Sequence, residues 1–368
     1  MTTLRVLLHV AAQRDYELHS IHFSTAFLQG SLHEEIWLRR PPNFTGSFPA
    51  GTQWSLRRPV YGLRQTPRGW HNTLRTTLAA LGFAPSTADS LLFLRTDTLL
   101  PPFYILVCID DLVFATADTA GLAHVKSVLQ KRHTCTDLGE LRSYLGLQIT
   151  RDRAQRTITL AQSHMVQQVL QRFDFTYSSP QATPLSTRHS LSALPSDESV
   201  EPSGPYPELV GCLMYLMTCT RPDLAYPLSI LARKGPSYLW RAESSGPHCS
   251  CCEAEIYAGA MAALELRWLT YLLTGLGEPP HSPPVLYVDN KAMLALCREH
   301  RLEHRTKHIA LRYFLARELQ QRGQLRLAYV ASQANTADIF TKALQPCDHQ
   351  RFCIMLGLVP TWPHLLTS

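Results

Sequence analysis

Two short apolar runs interrupted only by a pair of acids limit the possible folds of this chain more than any other feature. Tyr104–Ile109 and Leu112–Ala115 have the length and composition of buried strands, and Asp110 and Asp111 lie between them. Strands this close in sequence pair as a β-hairpin, which carries its acids at the turn. The sequence therefore predicts a buried hairpin with one carboxylate at a surface where a ligand can bind. The alternative is a pair of ordinary turn aspartates, since Asp is common in turns.

Length and composition indicate a large folded protein with a modest positive charge. The chain has 368 residues, of which 45% are hydrophobic and 17% charged, enough for a sizeable core and two domains. Its 35 Lys and Arg against 29 Asp and Glu give a net charge of +6, which suits contact with a polyanion. No apolar run reaches the roughly 18 residues of a membrane helix, and the N-terminus does not resemble a secretory signal. We therefore expect a soluble intracellular protein with no membrane partner, in the cytoplasm or the nucleus.

Basic residues are concentrated in the first seventy positions, with tryptophans among them. The group consists of Arg39, Arg40, Arg57, Arg58, Arg64 and Arg68, with Trp37, Trp54 and Trp70. Arginines interleaved with aromatic rings can hold phosphates and stack bases, which favours a nucleic-acid surface. The alternative is a solvated arginine face with no ligand.

A stretch rich in Pro and Ser, residues 177–207, divides the chain and predicts a connection without regular structure. Before it, periodicity predicts an α/β (α+β) domain with helices near 3–14, 69–81, 125–131 and 164–173, and strands through Ile21, 144–150 and 157–161. After it, the pattern predicts helices at 209–218, 257–272 and 306–321, strands at 285–288 and 324–330, and a last helix opening at 335–342.

Several segments, taken in order, resemble the Ty1/copia-type reverse transcriptases. They are Leu18–Leu32, Glu34–Trp37, Pro41–Phe44, Tyr61–Trp70, Leu81–Phe83, Asp137–Leu141, Tyr144–Leu147, Tyr206–Pro207, Gly211–Leu216 and Thr220–Asp223. Each segment alone is common, but the ordered set is specific, and the resemblance runs from about Leu4 to Gly357. It implies a reverse transcriptase palm followed by a ribonuclease H-like domain. The expected partners are an RNA template, a DNA primer or an RNA–DNA hybrid, and deoxynucleotides.

The resemblance also assigns roles in the polymerase site. Asp110 and Asp111 match the paired acids that hold Mg²⁺, with Cys108 where the family usually has tyrosine. Phe27 matches the aromatic residue that excludes ribonucleotides, and Gln65 matches a nucleotide-binding position. Arg64 and Arg68 match nucleic-acid contacts, and Leu145-Gly146 matches a segment near the primer end.

The main departure from the family pattern is His22, which occupies the position of the first metal-binding aspartate. Imidazole offers one neutral nitrogen where Mg²⁺ prefers a charged oxygen, so we expect weak metal binding and impaired catalysis. Asp15 is too distant along the chain to substitute, and we expect the fingers segment that precedes this region in the family to be missing. Three functions compete: an impaired polymerase fragment, a passive nucleic-acid-binding module, and an active RNA-directed DNA polymerase complemented by other segments.

In the second half, the resemblance to a ribonuclease H domain places catalytic, metal-binding acids at Glu255, Asp289 and Asp338. Taken singly, each acid could equally lie at an exposed helix start or strand end. The fourth acid belongs on a first strand that this chain lacks, because only seventeen residues separate Lys234 from Cys252. The predicted domains are the palm at 1–176, the connection with its apolar helix at 177–235, and a truncated ribonuclease H-like domain at 236–360.

Two histidine and cysteine groups invite a metal interpretation. His300, His304 and His308 recur every four residues, and Cys249, Cys251 and Cys252 follow His248. The histidines lie in a family string that packing or nucleic-acid contact explains more simply, and the cysteines lack paired C-x-x-C spacing. The ten cysteines of the chain are expected to be reduced thiols.

Overall fold

The computed structural model describes residues 1–32, 34–39, 49, 51–187, 205–234, 251–298 and 315–359. The chain divides into two compact units. The first comprises Met1–Arg142 with Thr150–Ile158 and Thr270–Pro279, and the second comprises Ser143–Ile149, Thr159–Leu269 and Pro280–Ser368. The two units are groups of residues that contact one another, and they do not test the domain boundaries predicted from the sequence, which remain a prediction.

The first part of the chain forms helices that pack on an antiparallel sheet. Its elements are α1 (Thr2–Arg14), β1 (Glu17–Phe23), β2 (Trp37–Leu38), β3 (Trp54–Ser55), α2 (Thr66–Ala79), β4 (Phe83–Pro85), β5 (Leu92–Arg95), β6 (Phe103–Cys108), β7 (Asp111–Thr116), α3 (Thr119–Arg132) and β8 (Cys135–Glu140). Six of the strands form one sheet in the order β4-β5-β6-β7-β1-β8. The predicted mixed α/β class is confirmed, and so are the early helices and the acidic hairpin.

The core of the first unit lies where α2 and α3 cover one face of this sheet. Its side chains include Phe23, Trp70, Leu74, Phe103 and Phe114, each essentially excluded from solvent. The central strands β6 and β7 are buried along nearly their whole length, as continuous apolar runs predict. The packed sheet therefore holds the residues at the ends of its central strands in fixed positions.

The remaining elements are β9 (Ser143–Tyr144), β10 (Leu147–Asp152), β11 (Thr157–Ala161), α4 (Ser163–Arg172), α5 (Tyr206–Cys219), α6 (Ala225–Lys234), α7 (Cys251–Gly275), β12 (Val285–Val288), α8 (Lys291–Arg298), α9 (Leu315–Gln321), β13 (Arg326–Tyr329) and α10 (Pro346–Met355). In the second unit β12 and β13 pair in parallel, with Val285 opposite Arg326. A second core, which includes Ile256, Met293 and Leu319, packs around this pair.

Two details differ from the sequence prediction. The strand predicted at 144–150 is broken at Leu145-Gly146, where both residues have positive φ and β9 turns into β10. The helix predicted to open at 335–342 is a short 3₁₀ turn, Thr336–Phe340, and the α-helix begins later, at Pro346. Pro346 has the restricted φ and the missing N–H that suit a first helical turn. It is therefore a helix-start signal that the sequence prediction did not use.

Candidate polymerase and ribonuclease H-like sites

The paired acids lie at the tip of a tight hairpin between β6 and β7. Cys108 pairs with Asp111, which leaves Ile109 and Asp110 as the two loop residues. On the other side of β7, the strand β1 brings His22 opposite Asp111. Antiparallel pairing thus brings His22 to the paired acids, which lie 89 positions away in the sequence for Asp111, as the resemblance implies.

The backbone of the hairpin turn is held in a specific conformation. Ile109 has φ 52°, a left-handed conformation that costs a branched residue about 1–2 kcal/mol. The indole Nε1–H of the buried Trp70 donates a hydrogen bond to the Ile109 carbonyl oxygen at 2.8 Å. The Phe23 amide donates to the Asp110 carbonyl oxygen at 2.7 Å. Because the core supplies both bonds, it fixes the direction of the two acids.

His22 hydrogen-bonds directly to one of the predicted metal ligands. Its Nδ1 lies 2.9 Å from Asp111 Oδ1. Since an ionised carboxylate only accepts hydrogen bonds, Nδ1 carries the proton and donates it. The imidazole therefore occupies the Asp111 oxygen nearest to it and adds no oxygen of its own.

Asp110 has a different environment from Asp111. The Tyr61 hydroxyl donates to Asp110 Oδ2 over 3.3 Å, a long hydrogen bond. The other carboxylate oxygen, Oδ1, is buried and has no hydrogen-bond partner among the described residues. Partial burial raises the pKa of the Tyr61 hydroxyl, and the negative charge of Asp110 raises it further. A buried carboxylate oxygen without a donor is the kind of atom that a cation would satisfy.

The two predicted nucleotide-binding residues are less accessible than the sequence suggested. Phe27 is buried, and the ring of Tyr61 lies against it with centroids 4.5 Å apart. Gln65 donates from Nε2 to a carboxylate oxygen of Glu34 at 3.1 Å. Tyr61 is half exposed and contacts both Phe27 and Asp110. The sequence analysis missed Tyr61, although its position at the start of the Tyr61–Trp70 segment was an available signal.

The predicted nucleic-acid-binding arginines are exposed. Arg64 precedes α2 and Arg68 lies in its first turn, and within the described ranges neither forms an ion pair. Arg57 and Arg58 come before them and are also exposed. Trp70, however, is not available for base stacking, because it is 2% exposed and packs edge-on against Phe23. That part of the basic and aromatic prediction is wrong.

The primer-end segment is shaped by its turn. Leu145 and Gly146 have φ of 47° and 73°, and the Tyr215 hydroxyl donates to the Leu145 carbonyl oxygen. A Cβ at Gly146 would meet that Tyr215 hydroxyl at 3.1 Å, so glycine suits the position for two reasons. The role of this segment near a primer end stays a prediction.

The three acids predicted for the ribonuclease H-like site interact electrostatically. Asp289 follows the end of β12, Glu255 lies in the first turns of α7, and Asp338 lies in the 3₁₀ turn. Burial raises the pKa of the Glu255 carboxyl, and the charges of Asp289 and Asp338 raise it further. Lys342 opposes that rise, and its Nζ lies 2.9 Å from Asp338 Oδ1. The fold thus concentrates negative charge from three separate elements.

The polymerase residues fit a two-metal site only in part. The orphaned Asp110 oxygen suits a cation, whereas His22 supplies no charged oxygen and holds one oxygen of Asp111. In the described part of the chain, one trio of His, Cys, Asp or Glu donors lies within 4.8 Å of one another, and it is elsewhere. The residues present therefore do not form a complete Mg²⁺ site.

Other predictions fall where the structure gives little or nothing. His300, His304 and His308, the group at His248 and Cys249, and Arg40 with Pro41–Phe44 lie outside the described residues. None of the described helices has the combination of length and apolar character needed to cross a bilayer.

With this geometry established, comparisons with known proteins place the chain in a family. Residues 1–187 match the family described as reverse transcriptase (RNA-dependent DNA polymerase). That match covers slightly more than half of the chain, which therefore belongs to the reverse transcriptase family. Members of this family generally use divalent metal ions and act on nucleic acid and nucleotides.

Curated relatives narrow the class to copia-type elements. The chain is 29% identical, over 98% of its length, to the retrovirus-related Pol polyprotein from transposon RE2 of Arabidopsis thaliana. It is 26% identical, over 94% of its length, to the corresponding polyprotein from transposon TNT 1-94 of Nicotiana tabacum. A putative transposon Ty5-1 protein of Saccharomyces cerevisiae is 31% identical over 57% of this chain and 67% of that protein. The Ty1/copia resemblance is thus confirmed.

The chain is much shorter than the polyproteins it matches. It spans 29% of the RE2 polyprotein and 31% of the TNT 1-94 polyprotein. The alignment with RE2 runs over 428 residues, more than the 368 of this chain, so RE2 has internal residues without a counterpart here.

Proposed function

We propose that this chain is the palm and truncated ribonuclease H-like region of an RNA-directed DNA polymerase polyprotein, with an impaired polymerase site. The observation that carries the proposal is the 2.9 Å hydrogen bond between His22 Nδ1 and Asp111 Oδ1. It puts an imidazole where the family has a metal-binding aspartate and engages the neighbouring carboxylate. The proposed partners are an RNA template, a DNA primer and deoxynucleotides.

The impairment follows from what Mg²⁺ requires. When bound, a pair of Mg²⁺ ions stabilises the attacking and leaving oxygens of phosphoryl transfer. Mg²⁺ takes charged oxygen ligands in near-ideal octahedral geometry and binds imidazole poorly. Asp110 offers its unpartnered oxygen, whereas Oδ1 of Asp111 already accepts a hydrogen bond from His22, which supplies no oxygen ligand itself. The residues at this hairpin therefore do not complete a two-metal site.

Primer extension on an RNA template with Mg²⁺ and deoxynucleotides tests the proposal. We expect the unaltered chain to extend at least about 10³-fold more slowly than an acid-complete relative, the scale on which single preorganised electrostatic groups act. Asp110→Asn is the matched control, because it shows whether any residual extension uses this site. Robust Mg²⁺-dependent extension by the unaltered chain, abolished by Asp110→Asn, would contradict the proposal.

For the second half, we propose a ribonuclease H-like domain over 236–360 that lacks its first strands and its fourth acid. The parallel pairing of β12 and β13 and the effect of the Asp289 and Asp338 charges on the pKa of Glu255 support the assignment. The extra residues in the RE2 alignment are consistent with a missing segment. With three acids we expect no cleavage of RNA in an RNA–DNA hybrid. Cleavage by the full chain that disappears in Asp289→Asn would contradict this expectation.

A second candidate function is passive nucleic-acid binding. The exposed arginines Arg57, Arg58, Arg64 and Arg68 favour it, because they need no metal to contact phosphates. Such binding would survive the loss of catalysis and would be salt-dependent with little sequence preference.

A further inference from the structure

A second group of metal-type side chains lies in the second unit, away from the acids already described. His349 and Cys353 are one turn apart on α10, so they share a face of that helix. Asp223, in the 3₁₀ turn Pro222–Leu224, faces them and is 3% exposed. Among the described residues this is the one trio whose donor atoms all lie within 4.8 Å of one another.

The separations within this trio are too long for strong hydrogen bonds but close to those of a tetrahedral metal site. His349 Nε2 lies 3.8 Å from Asp223 Oδ2, and Cys353 Sγ lies 3.9 Å from the same nitrogen. Around zinc, with bonds of about 2.0–2.3 Å, donor atoms are about 3.4–3.6 Å apart. These two separations would have to shorten by a few tenths of an ångström to reach coordination range, and the third separation, between Asp223 and Cys353, lies within 4.8 Å.

Arg221 holds the Asp223 carboxylate in place through two hydrogen bonds. Its Nε and a terminal nitrogen donate to the two oxygens of Asp223 at 2.9 and 2.8 Å. Ligating carboxylates are commonly hydrogen-bonded in this way by an outer partner that orients them. The arginine also explains how a buried carboxylate is tolerated without a metal.

Burial shifts the pKa values of the two other side chains. Burial lowers the pKa of the His349 imidazole. Burial raises the pKa of the Cys353 thiol to about 11, with a further contribution from Asp223. Coordination would therefore release the thiol proton to solvent as the Zn–S bond forms.

We propose that Asp223, His349 and Cys353 bind one Zn²⁺ ion, with water as the fourth ligand. Sulfur, imidazole nitrogen and carboxylate oxygen together suit Zn²⁺ and not Mg²⁺. The ion would join α10 to the 3₁₀ turn that follows α5 and so stabilise the C-terminal part of the chain. Sequence pattern does not predict this site, because Asp223 is more than 120 positions from its partners and the three fit no spacing motif.

Titration of the metal-free full-length protein with Co²⁺ tests the proposal, since Co²⁺ reports thiolate coordination by a charge-transfer absorption. We expect a band at one equivalent that is lost in Cys353→Ser and weakened at least about tenfold in affinity in His349→Gln. Cys347→Ser is the matched control, because Cys347 is exposed on the same helix, and it should keep the band. Zn²⁺ competition should bleach the band in both proteins that show it.

Cysteine alkylation gives a readout that does not depend on the cobalt spectrum. Zn²⁺ should slow alkylation of Cys353 and leave Cys347 unaffected. Folding of each variant is checked by circular dichroism. The proposal is overturned if the folded protein binds no Co²⁺, if Cys353→Ser binds as many equivalents as the unaltered chain, or if Zn²⁺ fails to protect Cys353. A metal bound only by the group at His248 would give the second of these results.

Discussion

The two acidic sites differ in what surrounds their carboxylates. At the polymerase hairpin, His22 and Tyr61 donate hydrogen bonds to Asp111 and Asp110, and a core tryptophan fixes the turn. At the proposed ribonuclease H-like site, the charges of Asp289 and Asp338 raise the pKa of Glu255, and the charge of Lys342 lowers it. The carboxylates of the first site accept hydrogen bonds from neighbouring side chains, whereas the second site brings three acids near one another. The polymerase site should therefore tolerate the absence of metal better than the second site.

The largest expected effect is on the stability of the fold and comes from Trp70, the core residue that donates a hydrogen bond to the turn of the hairpin. Trp70→Ala removes a fully buried ring and should lower the free energy of unfolding by about 3–5 kcal/mol. Trp70→Phe keeps most of the ring but leaves the Ile109 carbonyl without its donor, at a cost of about 1–3 kcal/mol. Chemical denaturation followed by circular dichroism measures both values.

Trp37→Ala is the control, since Trp37 is 56% exposed and its loss should change stability by no more than about 0.5 kcal/mol. Equal effects of Trp37→Ala and Trp70→Ala would show that the hairpin does not depend on the core.

The next effect concerns the charge of the side chain at position 22. His22→Asp should raise the affinity for Mn²⁺ or Mg²⁺ at least about tenfold, about 1.4 kcal/mol, because it restores a carboxylate opposite Asp111. Without metal, the added repulsion should lower the thermal midpoint, and divalent ions should restore it. Mn²⁺ titration by electron paramagnetic resonance and thermal unfolding with and without Mg²⁺ are the measurements.

His124→Asp is the matched control, because it makes the same charge change at an exposed position of α3. If both substitutions change metal affinity equally, His22 has no special place in the site.

A smaller effect is expected from the exposed arginines. Arg64→Ala with Arg68→Ala should weaken binding to an RNA–DNA hybrid and reduce the slope of log K against log salt by about 0.9 for each phosphate that is no longer neutralised. His22→Asp should leave this slope nearly unchanged, which separates the binding surface from the chemical site. Fluorescence anisotropy across a salt series measures the slope.

Arg322→Ala serves as the control, since Arg322 is paired with Glu318 within one helix. A salt-independent affinity, or an unchanged slope in the double variant, would refute the phosphate-binding role.

The smallest effect is the pH dependence contributed by Glu255. Its pKa is raised above the ordinary value of 4.5, so between these two values the folded state holds more protons than the unfolded state. Stability from this group is therefore present below pH 4.5 and is lost as pH rises through the folded pKa. Glu255→Gln should raise the thermal midpoint at neutral pH and have little effect below pH 4.5.

Glu265→Gln, on the exposed side of the same helix, should shift the midpoint equally little at both pH values. A Glu255→Gln variant less stable than the unaltered chain at pH 7 would contradict the repulsion among the three acids.

The sequence determined the secondary structure and the identity of the site residues where local pattern suffices. The runs at 104–109 and 112–115 became β6 and β7 because continuous apolar composition and short separation allow little else. The ordered segments specified the family, which is confirmed, whereas the interpretation of His22 as a departure from the family pattern stays a prediction. The last α-helix begins at Pro346 and not within residues 335–342, where the resemblance to the family led us to predict it.

Only the tertiary structure decided what those residues contact. It paired His22 with Asp111, laid Tyr61 over Phe27, left one Asp110 oxygen without a donor in the described structure, and buried Trp70 in the core. It also brought Asp223 to His349 and Cys353. These contacts join residues that are more than thirty positions apart in the sequence, and they depend on strand register and on how the elements pack. A local hydrophobic pattern does not specify them, because the partners of a side chain are set by the elements that pack against its own element.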